Sequence, residues 1–228
     1  MIKAVLFDLD GTLLNRDASV RCFIENQYDR YKSYLLHIDK GMYVKRFLEL
    51  DARGYVWKDK VYQQLEEELG LSCSAEKLLA DYIAEFRHYC IPFDHLHHML
   101  KQLKSMGLKL GIITNGYCQF QLDNIKALGI EKEFDLILIS EWEGIKKPDP
   151  VIFKRALDKL EVAAAESLFV GDHPINDVQA AKQAGMIGVW KRDKWWNEYE
   201  IMADYVVDEL LEIPRIITSL GRNPLSIM

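Results

Sequence analysis

The chain has 228 residues, 49% of them hydrophobic and 28% charged, with a formal net charge of −6. This size fits one domain with an insertion or two small domains, and the composition excludes a disordered chain. No basic block offers a footprint for a phosphate backbone, so a nucleic-acid polymer is not expected as a partner, whereas a small anionic substrate remains compatible with a locally positive site. Cys22, Cys73, Cys90 and Cys118 are scattered without a CxxC pair, which argues against a zinc site or a disulfide framework. The N-terminus enters a strand pattern without the charged region and cleavage site of a signal peptide, and no apolar run approaches about 18 residues. The expected address is the cytoplasm, with no membrane association.

In chain order, "KAVLFD" (3–8) reads as a buried strand that ends in two carboxylates one residue apart, Asp8 and Asp10, followed by Gly11 and Thr12. From residue 16 to 90 no strand is evident. "RCFIENQYDRYKSYL", "YVKRFLELDARG", "KVYQQLEEELG" and "AEKLLADYIAEFRHYC" all read as helices, a stretch too long for an ordinary βα loop. Their aromatic residues, among them Tyr28, Tyr31, Tyr34 and Tyr55, are expected mostly in the core at helical spacing. Beyond residue 91, "LKLGIITN" (108–115), "FDLILIS" (134–140), "SLFVGD" (167–172) and "IGVW" (187–190) lack a period of two, as strands covered on both faces do. Helical patterns separate them. "HLHHMLKQLKSMG" (95–107) aligns Leu96, Met99, Leu100 and Leu103, "FQLDNIKALG" (120–129) stops at a glycine, and "PVIFKRALDKLE" (150–161) begins with proline. In "NDVQAAKQAG" (176–185) Asn176 is the expected cap. The tail, "LLEIPRIITSLGRNPLSIM", reads as a short helix and a loosely held end. The alternation predicts an α/β, doubly wound parallel-sheet (Rossmann-like) core of residues 1–15 and 91–228, with an all-helical domain, residues 16–90, inserted after the first strand.

In such a sheet ligands bind beyond the carboxyl ends of the strands, and four polar segments fall there. They are "DLDGT" (8–12), "ITNG" (113–116), "KKPDP" (146–150) and "GDHPIND" (171–177). An EF-hand, which needs glycine sixth and glutamate twelfth in its loop, does not fit a count from Asp8. His95, His97 and His98 are expected to be solvent-exposed, His173 structural, and Trp195 and Trp196 packing residues.

Taken in order, the four segments resemble the motifs of the haloacid dehalogenase superfamily, in its phosphatase branch, and the helical insertion lies where that family carries its type 1 cap. The resemblance implies a phosphatase acting on a small phosphorylated metabolite such as a sugar phosphate, phosphoglycolate or a nucleoside monophosphate. The cap would close over the substrate and choose the leaving group. On chemical grounds Asp8 would be the nucleophile, forming an aspartyl-phosphate, and Asp10 would protonate the leaving oxygen and then deprotonate water. Several carboxylates beside a phosphate dianion call for a divalent cation. Mg²⁺ is expected on Asp8, Asp172 and, by family analogy, the Asp10 backbone carbonyl, with Asp177 behind them holding a metal water or orienting Lys147. Thr114 and the Asn115 backbone N–H would bind phosphate oxygens. Lys147, preferred to Lys146 because the family's lysine directly precedes proline, would neutralise charge. A phosphomutase of the same superfamily and a non-catalytic phosphate-binding module are the alternatives. A dehalogenase is disfavoured, because that branch lacks the second aspartate. A monomer or a homodimer is expected.

Overall fold

Six short runs rich in Val, Ile, Leu and Phe build one parallel sheet in this computed structural model, which describes residues 1–196 and 201–222. Strand β1 (Ala4–Phe7) is buried at every position. Helices α1 (Arg16–Arg30), α2 (Lys32–Leu35), α3 (Lys40–Asp51), α4 (Lys58–Leu69) and α5 (Ala75–Glu85) follow without an intervening strand. The chain then alternates: α6 (Leu96–Ser105), β2 (Lys109–Thr114), α7 (Cys118–Ala127), β3 (Leu136–Ile139), α8 (Ser140–Glu143), α9 (Pro150–Leu160) and β4 (Ser167–Gly171). A π-helical turn, Pro174–Gln179, leads into α10 (Ala180–Gln183), and β5 (Ile187–Lys191), β6 (Tyr205–Val207) and α11 (Glu212–Arg222) complete the described chain. Contacts divide it into two compact units, Met1–Asn15 with Pro92–Met228, and Arg16–Ile91.

The sheet order is β3-β2-β1-β4-β5-β6, with every pair parallel. The chain winds outward from β1 through β2 to β3, then returns to add β4 on the other side. The order thus reverses beside β1, and in doubly wound sheets such a reversal is where ligands bind past the carboxyl ends of the strands. One face of the sheet packs Leu6, Ile113, Leu138 and Phe169 against Ile152, Phe153, Ala156 and Leu160 of α9, with the Phe153 and Phe169 rings edge-on at 5.0 Å between centroids. The stripe Leu96, Met99, Leu100 and Leu103 of α6 is buried. Asp149 caps α9, its side chain accepting from the Val151 N–H, and Pro150 opens the helix, where its missing N–H costs nothing.

Three features differ from the sequence expectation. Strand β6 was not anticipated: three residues with Val206 exposed at a sheet edge are too few to set a period. The helical turn after β4 begins at Pro174 rather than after Asn176, because the His173 ring accepts from the Ile175 and Asn176 N–H groups and is itself the cap. Of the four tyrosines assigned to the helical core only Tyr28 is buried, while Tyr55 is 62% exposed. The loosely held end expected after α11 lies outside the described residues.

The core of the helical unit is instead Phe23, Phe47 and Phe86 with Tyr43, Tyr62 and Tyr82, each phenylalanine worth about 1.5–3 kcal/mol on burial. Gln27, fully buried on α1, ties the helices together. It donates to the Leu78 carbonyl and the Asp81 carboxylate and accepts from the Tyr62 hydroxyl at 2.8 Å. Below it Asp51 and Lys58, 1% and 2% exposed, form an ion pair to which Arg16 adds a bond at 2.7 Å. Burial alone would raise the Asp51 carboxyl, but Arg16 and Lys58 outweigh it and hold it below the usual range. Among the described residues no helix is long and apolar enough to cross a membrane.

Removing one partner of a buried pair strands the other charge. Asp51→Ala is therefore expected to cost about 3–5 kcal/mol, measured by urea unfolding followed by far-UV circular dichroism. The paired change Asp51→Leu with Lys58→Met should recover most of that loss. A single variant as stable as the parent would refute this account of the pair.

Candidate active site

The sheet ends decide where the polar residues go. Asp8 is the first residue past β1, and its N–H still bonds the Val170 carbonyl of β4. The chain then turns back on itself: the Leu13 and Leu14 N–H groups bond the Leu9 carbonyl and the Gly11 N–H bonds the Leu14 carbonyl. This requires φ of +87° at Gly11, a region open to glycine. A Cβ there would also stand 2.5 Å from the Asp172 carboxylate. Gly171, at the end of β4, is needed for the same reason, because a Cβ there would strike the Asp177 side chain.

These turns gather charge around one lysine. Lys147, 3% exposed, donates to Asp8 Oδ1 at 2.6 Å and to Asp177 Oδ1 at 2.7 Å. Asp177 Oδ2 accepts from the His173 N–H, so both oxygens of Asp177 are already engaged. The lysine is delivered by Asn115, whose side chain clamps the Lys147 backbone at two points, donating to its carbonyl and accepting from its N–H at 2.9 Å each. Lys146, its neighbour, is exposed. Thr114, fully buried at the end of β2, accepts a bond from Gln121 on α7, which also bonds Asp10. His95, His97 and His98 are exposed. Trp195 is exposed, while Trp196 is buried with its ring 4.6 Å from that of His173.

One oxygen each of Asp8, Asp172 and Asp177 lies within 4.8 Å of the other two. Two oxygens on opposite sides of a Mg²⁺ are about 4.2 Å apart, and Ca²⁺ spaces them wider. The charge count points the same way. Asp8, Asp10, Asp172 and Asp177 are opposed by Lys147 and by Lys191, a buried lysine at the end of β5 whose charge acts on Asp172. Acidic groups outnumber basic ones in a poorly solvated place, where burial pushes the Asp8 carboxyl up and the Lys191 ammonium down, and every donor is a hard oxygen. A divalent cation fits this set.

Burial pushes the Asp8 carboxyl up to about 7. Lys147 opposes that rise, and Asp177 and Asp10 add to it. Burial would lower Lys147, but Asp177 and Asp8 more than compensate and keep it a firm ammonium. Because Asp8 is raised from its ordinary 3.8, between those two values the folded chain keeps a proton that the unfolded chain has lost. This group's contribution to stability therefore falls as pH rises through that window.

Sequence reasoning did not anticipate Gln121. The available signal was local: positions 121, 124, 125 and 128 form the inward stripe of α7, and the first two are amides, Gln121 and Asn124, both buried. Buried amides on a core-facing stripe require partners, and here the partners are at the site.

Two outcomes are expected from thermal unfolding. In EDTA at pH 8, Asp8→Asn should melt a few degrees above the parent, with the gap closing at pH 5; a gap that ignores pH would mean the Asp8 carboxyl is not raised. A divalent cation at about 100 times its Kd should stabilise the parent by about 2.7 kcal/mol. Asp172→Asn should lose most of that gain, and an equal gain in both proteins would move the ion elsewhere.

Comparison with known proteins places the chain in a family. Residues 5–190 match the family model of haloacid dehalogenase-like hydrolases. The chain is 30% identical over 237 residues to a glyceraldehyde 3-phosphate phosphatase of Methanocaldococcus jannaschii, covering 98% of this chain and all of that one. A crystal structure of a HAD phosphatase from Thermococcus onnurineus superposes with a TM-score of 0.67 at 29% identity, covering 95% and 98% of the two chains. A 2-haloacid dehalogenase from Pseudomonas syringae pv. Tomato DC3000 gives 0.66 at 27% identity, covering 96% and 100%. The chain belongs to the haloacid dehalogenase-like hydrolases.

Proposed function

We propose that this phosphoric monoester hydrolase acts on a small phosphorylated metabolite in two steps, through an aspartyl-phosphate on Asp8 and with Mg²⁺ as cofactor. The observation that carries the reading is Lys147 held between Asp8 and Asp177, with Asp172 close enough to Asp8 to share a cation. An oxygen of Asp8 attacks phosphorus and the ester P–O bond breaks. The leaving oxygen takes a proton from the carboxyl of Asp10. Asp10, now a carboxylate, takes a proton from a water whose oxygen attacks the same phosphorus, the bond to Asp8 breaks, and inorganic phosphate departs with Asp10 again protonated. Lys147, the Thr114 hydroxyl and the Asn115 backbone N–H hold the phosphoryl oxygens. Mg²⁺ held by Asp8, the Asp10 carbonyl and Asp172 would supply the positive charge that a phosphate dianion needs among carboxylates, with Asp177 orienting Lys147.

Asp10 separates this reading from dehalogenation, since expelling a halide needs no proton donor whereas an alkoxide does. The substrate class is a sugar phosphate, phosphoglycolate or nucleoside monophosphate. The similarity to a glyceraldehyde 3-phosphate phosphatase puts three-carbon phosphates first in the panel. We assign the helical unit the choice of leaving group, and we place the protein in the cytoplasm as a monomer or homodimer; its four cysteines are free thiols, which suits a reducing compartment.

The test is phosphate release from a panel of such esters. Release should require Mg²⁺, stop in EDTA, and fall roughly 10³-fold or more in Asp8→Asn. Acid quenching with ³²P-labelled substrate should leave label on the parent and none on the variant. Turnover by Asp8→Asn at the parental rate would end the nucleophile assignment.

A further inference from the structure

Asp8 and Asp10 leave the same strand one residue apart, yet they meet different partners. Asp8 faces an ammonium. Asp10 faces an amide: Gln121, 3% exposed on α7, donates from Nε2 to Asp10 Oδ2 at 2.7 Å and to Thr114 Oγ1 at 2.6 Å. The amide is fixed from behind, because Asn124 Nδ2 reaches Gln121 Oε1 at 3.4 Å, which turns Nε2 toward Asp10. Room for this approach is cut into the chain at Gly116, where φ is +151° and a Cβ would lie 2.9 Å from Gln121 Cγ.

We propose that Gln121 is a positioning residue: it fixes the plane of the Asp10 carboxyl and sets which of its oxygens faces the reacting groups. The inference rests on the acid–base role assigned to Asp10 above. The Gln121 N–H engages Oδ2, so Oδ1 is the oxygen turned to the leaving group and the water. Oδ1 is then the atom that gives a proton to the leaving group and later takes one from water. An apolar side chain in the same place would let the carboxyl rotate, and the amide does not. Its second N–H occupies a lone pair of Thr114, which leaves the threonine hydroxyl proton to point at an incoming phosphoryl oxygen.

The consequence depends on the leaving group, which a merely structural role would not produce. An alkoxide needs the proton, whereas 4-nitrophenolate leaves well without it. Gln121→Met, similar in length but without donors, should lower kcat/KM roughly 30-fold or more for the fastest alkyl phosphate of the panel, and less than about 3-fold for 4-nitrophenyl phosphate, a modest share of the usual worth of general acid catalysis. Thermal unfolding confirms that each variant is folded. Equal losses on both esters, or no loss on the alkyl one, overturn the proposal. Asp10→Asn run alongside keeps the two claims apart. If it shows the leaving-group dependence and Gln121→Met does not, only the role of Gln121 fails. If Asp10→Asn lacks the dependence, the acid–base reading itself fails and the inference with it.

Discussion

Everything at the sheet edge follows from one unbalanced contact: a buried lysine shared by two buried carboxylates, with further carboxylates nearby. Lys147 lies 2.6 Å from Asp8 and 2.7 Å from Asp177. Water cannot screen these charges at 3% exposure or less for Lys147 and Asp177, so each group's state is set by the others. The lysine is therefore held as an ammonium, while burial pushes the carboxyl of Asp8 towards its neutral, protonated form. A site in this condition is compatible with a divalent cation among its carboxylates. The glycines at 11 and 171 serve that same end, since each removes a side chain from the path of a carboxylate that must come close. Asn115 does so too, as it spends its whole side chain holding the backbone of Lys147.

Much of this was legible because it is written in short, sharply different pieces of sequence. Apolar runs without a period of two marked strands covered on both faces, and the polar residues directly after them had one place to go. The four buried positions of α6 could be named from spacing alone. The motif residues at 8, 10, 114, 115, 147, 172 and 177 stand next to strand ends or in the loop before α9, where sequence position and spatial position nearly coincide. Reading failed where contact depends on which way a helix faces. Spacing could not distinguish Tyr28 from Tyr55, because a tyrosine satisfies either a core or a surface position. His173 did not stand out as a cap because its ring nitrogen was performing a task usually given to Ser, Thr, Asp or Asn. Gln121 was hidden within a helix whose only obvious feature was its terminal glycine.

The fold by itself does not select the reaction. A phosphatase and a 2-haloacid dehalogenase both superpose on this chain with similar scores, 0.67 and 0.66. The parallel sheet brings strand ends together and leaves the chemistry to a handful of side chains. What distinguishes esters from halides is the need to protonate what leaves, so on the proposed chemistry the discriminating residue is the second carboxylate rather than the first.

The two aspartates of "DLD" therefore make a controlled comparison within one protein. They share a strand end but differ in burial and in partners, and on the proposed chemistry their division of labour follows those differences. An ammonium beside Asp8 favours the carboxylate form against the pull of burial, the form the proposed nucleophile needs. An amide beside Asp10 adds no charge, which suits the proposed giving of a proton in one step and taking of one in the next. On the proposed chemistry, exchanging the two partners would disable both residues: Asp10 would be held ionised in the first step, and Asp8, buried beside a neutral amide, would keep its proton and lose its lone pair to it. The pairing of lysine with the first carboxylate and glutamine with the second is thus the arrangement that lets one short loop carry two opposite tasks.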